Sequence, residues 1–137
     1  MKIYVASSWK SSHRHELVVF ALKDLGHEVY DYRTDGAFHW SQVDENYKNW
    51  SVEEFKEGLK HPSARKGFAT DFYNMERSDI CILILPSGRS SHLEAGWFAG
   101  RGKPLYILTQ EGEPAELTYS LANLVTTNLD EILEKLK

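Results

Sequence analysis

"SDICILILPSGRSSHLEAGWFAG", Ser78 to Gly100, is the stretch that decides the fold. From Ile80 to Leu85 every residue is apolar. A strand with one wet face would alternate, so the unbroken run reads as a central strand buried on both faces. The turn-forming Pro86-Ser-Gly-Arg-Ser-Ser91 follows, and a helical pattern then runs from about Ser91 to Arg101. Strand, short polar loop and helix in that order begin a parallel crossover.

The same unit recurs on either side. Lys2–Ala6 is a β-rich run. Ser11–Leu25 reads as a helix with Leu17, Val18, Ala21, Leu22 and Leu25 on one face, stopped by Gly26. His27–Tyr32 is a second strand, and Arg33–Trp50 a long loop rich in aromatics. Helices are expected over Ser51–Leu59, where Ser51 and Glu54 match a capping box, and over Ser63–Arg77. A strand at Pro104–Leu108, a helix at Glu113–Leu121, a strand at Leu124–Thr126 and a helix at Leu129–Leu136 complete the chain. Alternating strands and helices imply an α/β, doubly wound, flavodoxin- or Rossmann-like sheet. It has five parallel strands with helices on both faces, and the expected order is 2-1-3-4-5.

The 137 residues suit one domain, residues 1–137. The net charge of −4 and the absence of a basic block argue against duplex nucleic acid. No apolar run approaches the roughly 20 residues of a membrane span. The first residues lack the apolar core of a signal peptide, and the one cysteine, Cys81, lies in the central apolar run. A disulfide framework is excluded, and the cytoplasm is the expected compartment. Nothing in the sequence asks for a metal or other cofactor. His13 and His15 lack ligand partners at a suitable spacing and read as exposed helix residues.

In such sheets ligands lie beyond the carboxyl ends of the strands, at the switch point. The loops after the first three strands should therefore converge on one cleft. Ser7, Ser8, Trp9, Lys10, Ser11 and Ser12 follow the first strand. Ser87, Gly88, Arg89, Ser90 and Ser91 follow the third. Both are hydroxyl-rich segments at a helix start, where backbone N–H groups attract anions. Phe38 and Trp40, with Tyr47 and Trp50, form either a self-packed lid or a stacking wall for a flat ligand. Glu94 has two readings as well. Ser91-His-Leu-Glu94 matches a capping box, and a carboxylate in a first turn beside the cleft also suits a nucleophile. Gly88-Arg-Ser90-Ser-His92 only faintly matches a nucleophile elbow, and no histidine follows His92 to complete a triad.

Three stretches carry a family resemblance: "KIYVASSW" (Lys2–Trp9), "FATDFYNMERSDICILILP" (Phe68–Pro86) and "HLEAGWFAGRGKPLYIL" (His92–Leu108). Together they resemble the nucleoside 2-deoxyribosyltransferase family and its relatives, the nucleotide N-glycosidases. The resemblance implies that Glu94 is the nucleophile on the sugar's anomeric carbon. It implies that Asp71, eight residues before Asp79, is the second acid, and that Tyr4 is the tyrosine of the first strand. It implies a nucleoside or nucleotide substrate, and a homodimer or higher homo-oligomer in which a neighbouring subunit completes the site. The apolar segment of Leu117, Tyr119, Leu121 and Leu124 is either core or a two-fold contact from which Tyr119 or Asn123 reaches the neighbour's cleft. Two departures stand out. Ser90 and His92 replace two glycines that let the sugar approach, and Ser87, Gly88 and Arg89 stand where a further acid is usual. Arg89 among serines suits a phosphate. Three functions follow: cleavage or transfer at an N-glycosidic bond, a glycohydrolase of NAD or a nucleotide messenger, and a non-catalytic nucleotide-binding module.

Overall fold

The computed structural model describes residues 1–137. The chain forms two compact units, one of Met1–Tyr30 with Arg77–Lys137 and one of Asp31–Glu76.

The first unit holds a five-stranded sheet in the order β2-β1-β3-β4-β5. Its strands are β1 (Lys2–Ala6), β2 (Glu28–Tyr30), β3 (Ile80–Ile84), β4 (Leu105–Leu108) and β5 (Leu124–Thr126). Every pairing is parallel, with Tyr4 beside Tyr30 and Cys81, and Leu83 beside Ile107. Helix α1 (Ser12–Asp24) and the last helix, α6 (Leu129–Lys135), cover one face. There Ile3, Val5, Ile80, Ile82, Ile84 and Leu108 pack with Val18, Val19, Leu22 and Ile132. Helix α5 (Arg89–Gly100) covers the other face, where Phe98 lies 5.4 Å from the ring of Tyr4. β3 is buried along its whole length, as an unbroken apolar run requires.

Several expectations shift in detail. The buried stripe of α1 is His15, Val18, Val19 and Leu22, while Leu17 and Leu25 are exposed. The face is rotated because His15, buried by a polar contact, belongs to it. His13 is exposed as expected and His15 is not. Gly26 ends α1 with φ +92°, a left-handed conformation that glycine adopts without steric cost. β2 stops at Tyr30, because the Asp31 side chain accepts from Arg33 N at 3.0 Å and starts the short helix α2 (Tyr32–Asp35). The helix expected over Glu113–Leu121 shrinks to one 3₁₀ turn, Leu117–Leu121. Pro114 disfavours a helical conformation at Glu113, and Glu116 caps the turn by accepting from Thr118 N.

The second unit carries α2, α3 (Val52–Gly58) and most of α4 (Pro62–Arg77). The Ser51/Glu54 capping box is present in both directions, at 3.1 and 3.0 Å. Trp40 lies within 5.2–5.7 Å, ring to ring, of Phe38, Trp50 and Phe55. The Trp50 indole donates to Asp44 at 2.8 Å and holds that exposed carboxyl below its usual range. The 33–50 loop is thus built around its own aromatic cluster.

Gly58 is where this cluster meets α3: an added Cβ would stand 2.6 Å from ring carbons of Trp50. Gly58→Ala gains up to about 1 kcal/mol of helix propensity, against roughly 1–3 kcal/mol for overpacking. The expected result is a net loss of about 1 kcal/mol, seen as a lower urea midpoint with altered tryptophan emission. An unchanged midpoint would mean that Trp50 moves aside at no cost.

Candidate active site

Helix α5 begins two residues earlier than its sequence suggests. Gly88 is the extended residue before it, with φ −97° and ψ −164°, and no side chain caps the helix. Ser91 is therefore the third helical residue rather than the cap, and Glu94 the sixth. The capping-box reading of Glu94 is overturned, because in the second turn its carboxylate no longer faces the unpaired N–H groups.

Glu94 reaches the sheet instead. The Tyr4 phenol, on β1, donates to Glu94 Oε2. Tyr4 is buried between Tyr30, at 5.2 Å, and Phe98. The phenol is aimed by its ring packing, and it aims the carboxylate in turn. Cys81 pairs with Tyr4 across the sheet and lies under the same helix. Its thiol is pushed well up, first by burial and then by the negative charge of Glu94. A half-buried carboxylate on a rigid helix, tied to a buried phenol, suits nucleophilic or general-base chemistry.

The loops after β1 and β3 meet around this point, both within the first unit. Ser11 and Ser8 donate to the Pro86 carbonyl, Ser8 at 3.5 Å. Ser7 and Ser91 are buried, and the Ser91 hydroxyl donates to the Ser7 carbonyl at 2.9 Å. Ser87 Oγ is buried without a hydrogen-bond partner, next to the uncapped start of α5. Arg89 and Ser90 are exposed there, as is Trp9 on the other loop. An orphan hydroxyl, open backbone N–H groups and a guanidinium together can receive an oxyanion.

His92 does not project as an unengaged ring. Its Nδ1 lies 2.8 Å from the Gly88 carbonyl, and its Nε2 lies 2.8 Å from the Tyr119 hydroxyl. The two rings stack at 5.8 Å with an angle of 16°. Tyr119 is thus engaged within its own chain, and Asn123, just before β5, accepts from Leu105 N at the start of β4 at 3.0 Å. Asp71, Phe38 and Trp40 belong to the second unit, where Asp71 is half-buried on α4. Asp79 accepts from Lys2 N at 2.7 Å at the far end of β1.

Sequence reasoning passed over Arg14. Its guanidinium donates to the carbonyls of Leu85 and Thr109, the latter at 2.9 Å, and so ties together the carboxyl ends of β3 and β4. An arginine on an amphipathic helix carries no local signal of such a task.

No protein-family model matches the chain, and no curated protein matches it. Solved structures do. A 2-deoxyribosyltransferase from the psychrotolerant bacterium Bacillus psychrosaccharolyticus superposes with a TM-score of 0.69 at 20% identity. The match covers 96% of this chain and 90% of that one. The CMP N-glycosidase BcmB of Clostridium botulinum superposes with a TM-score of 0.57 at 19% identity, over 99% and 98% of the two chains. The chain shares their fold. At this identity the likeness lies in the backbone path, and the chemistry has to be argued from the residues of this chain.

Tyr119 gives a direct electrostatic check on the segment beside His92. Its phenol is raised above the ordinary tyrosine range, by burial first and then by the charges of Glu113 and Glu116. Replacing both with glutamine removes the repulsion on the phenolate, so the pKa should fall but stay raised through burial. Titration of ¹³C-labelled tyrosine by NMR reads this. A pKa unchanged by the double substitution would place those two charges too far away to act.

Proposed function

We propose that this protein belongs with the 2-deoxyribosyltransferases and nucleotide N-glycosidases, and that it cleaves or transfers at the N-glycosidic bond of a nucleoside or nucleoside 5′-monophosphate. Residues 1–137 act in this as one domain. The observation that carries the reading is the hydrogen bond from Tyr4, on β1, to Glu94, since it ties a carboxylate that does not cap its helix to the sheet and fixes its orientation.

In the first step a Glu94 carboxylate oxygen attacks C1′ of the sugar. The C1′–N bond breaks, its electron pair goes to the base, and an acid supplies the proton that the base takes up. The family resemblance nominates Asp71 for that acid. In the second step water or another base attacks C1′ from the opposite side and gives up its proton to the acid deprotonated in the first step, and the Glu94 carboxylate leaves with its electron pair. Two inversions give net retention. Tyr4 serves both steps by holding the carboxylate in one orientation, which lowers the entropic part of the barrier. Ser87, the open N–H groups of α5 and Arg89 would receive the 5′-phosphate, and this favours a nucleotide over the free nucleoside. The same site could hold a nucleotide without cleaving it, and base release separates the two functions.

Glu94→Gln keeps the side chain's size and removes the nucleophile, so base release from a panel of nucleosides and nucleotides should fall at least a hundredfold, with the circular dichroism spectrum unchanged. Activity within tenfold of wild type would end the nucleophile assignment. Arg89→Ala should weaken a nucleoside monophosphate roughly tenfold or more, and the matching nucleoside by less than twofold. Equal losses in calorimetric affinity would remove the phosphate from the proposal.

A further inference from the structure

Ser7 and Ser91 stand out as buried hydroxyls at a site where exposed ones are expected. Ser7 is 8% exposed and Ser91 3%, and His15 beneath them is fully buried. Ser7 Oγ and His15 Nδ1 share a hydrogen bond of 2.6 Å, while the Ser7 carbonyl accepts from Ser91 Oγ at 2.9 Å. His15 is on α1 and Ser91 on α5, which lie on opposite faces of the sheet. Ser7, just past the end of β1, therefore links the two layers, with its side chain on one and its carbonyl on the other.

The spacing ties this chain of bonds to Glu94. Tyr4, in the middle of β1, and Ser7, just past its end, are three residues apart, and Ser91 and Glu94 are three apart on α5. Residues three apart on a helix share a face, so both reach the same strand one turn apart. Two bonds at this separation fix both the sliding and the rotation of α5 against β1, whereas one bond would leave a pivot. We infer that His15, Ser7 and Ser91 form a positioning relay that sets the register in which Glu94 meets Tyr4. The inference rests on Glu94 being the nucleophile, and it assigns none of the three a contact with substrate.

Ser91→Ala removes the upper bond and Ser91→Thr keeps the hydroxyl. On the His15 side, His15→Asn retains a polar atom near the position of Nδ1 and His15→Leu does not. Two readouts are taken. The first is the split of kcat and KM in base release. The second is the ¹³Cζ resonance of Tyr4, assigned by its loss in Tyr4→Phe, with Glu94→Gln marking the position it takes when the carboxylate is gone. The expected result is a fall in kcat of at least tenfold for Ser91→Ala and His15→Leu with KM within twofold, a Tyr4 resonance moved toward the Glu94→Gln position, and recovery of both in Ser91→Thr or His15→Asn. A Tyr4 resonance unmoved in folded Ser91→Ala overturns the relay, whatever happens to activity. If the wild type releases no base from any substrate, the glycosidic reading fails, and the relay stands or falls on the Tyr4 resonance alone.

Discussion

The structure depends on the parallel pairing of β1 with β3 at the centre of the sheet. Parallel neighbours cannot be joined by a tight turn, so each must be followed by a crossover that covers a face of the sheet. That burial is why β1 and β3 are hidden along their whole length and why β3 is apolar throughout. It also puts both following loops at the same end of the sheet. The Ser7–Ser11 segment and the Pro86–Ser91 segment meet there because the sheet leaves them no other place.

Within that frame the contact between β1 and α5 fixes the geometry of the candidate site. A helix laid on a sheet by apolar packing alone can slide and rotate with little change in buried area, since the hydrophobic effect has no direction. Hydrogen bonds have direction. Tyr4 to Glu94 and Ser91 to Ser7 hold α5 at two points, and Phe98 fills the space below. Arg14 does the same for the rim, where the ends of β3 and β4 would otherwise present open carbonyls. Polar contacts near the cleft thus give precision to an architecture whose stability comes from the apolar face under α1 and α6.

The second unit follows a different rule. Two of its helices, α2 and α3, are short, and its aromatic rings pack mainly on one another around Trp40, with Asp44 anchoring the Trp50 indole. A long loop can be ordered in this way without a sheet of its own, because a few large rings bury more area per residue than aliphatic side chains. Either of the two roles expected for these aromatics, lid or wall, begins from that cluster.

Much of the fold was legible in the sequence. The apolar run Ile80–Leu85, the strand Lys2–Ala6, the Gly26 stop and the Ser51/Glu54 capping box are local signals, and each depends on neighbours a few residues away. The alternation of elements pointed to a parallel doubly wound sheet, and the expected order among those open to such a sheet, 2-1-3-4-5, is the one observed. Glu94 and Tyr4 could be singled out from a family resemblance, but not their hydrogen bond. Local pattern failed where a distant partner intervened. The stripe of α1 includes a histidine, His15, whose ring meets Ser7, and Ser91 resembles a cap while its hydroxyl donates to the carbonyl of Ser7, 84 positions earlier. Sequence determines what depends on short-range sterics and on the periodicity of apolar residues. Whether a polar side chain meets water, a ligand or a buried partner depends on what lies across the sheet, and only the tertiary structure decides that.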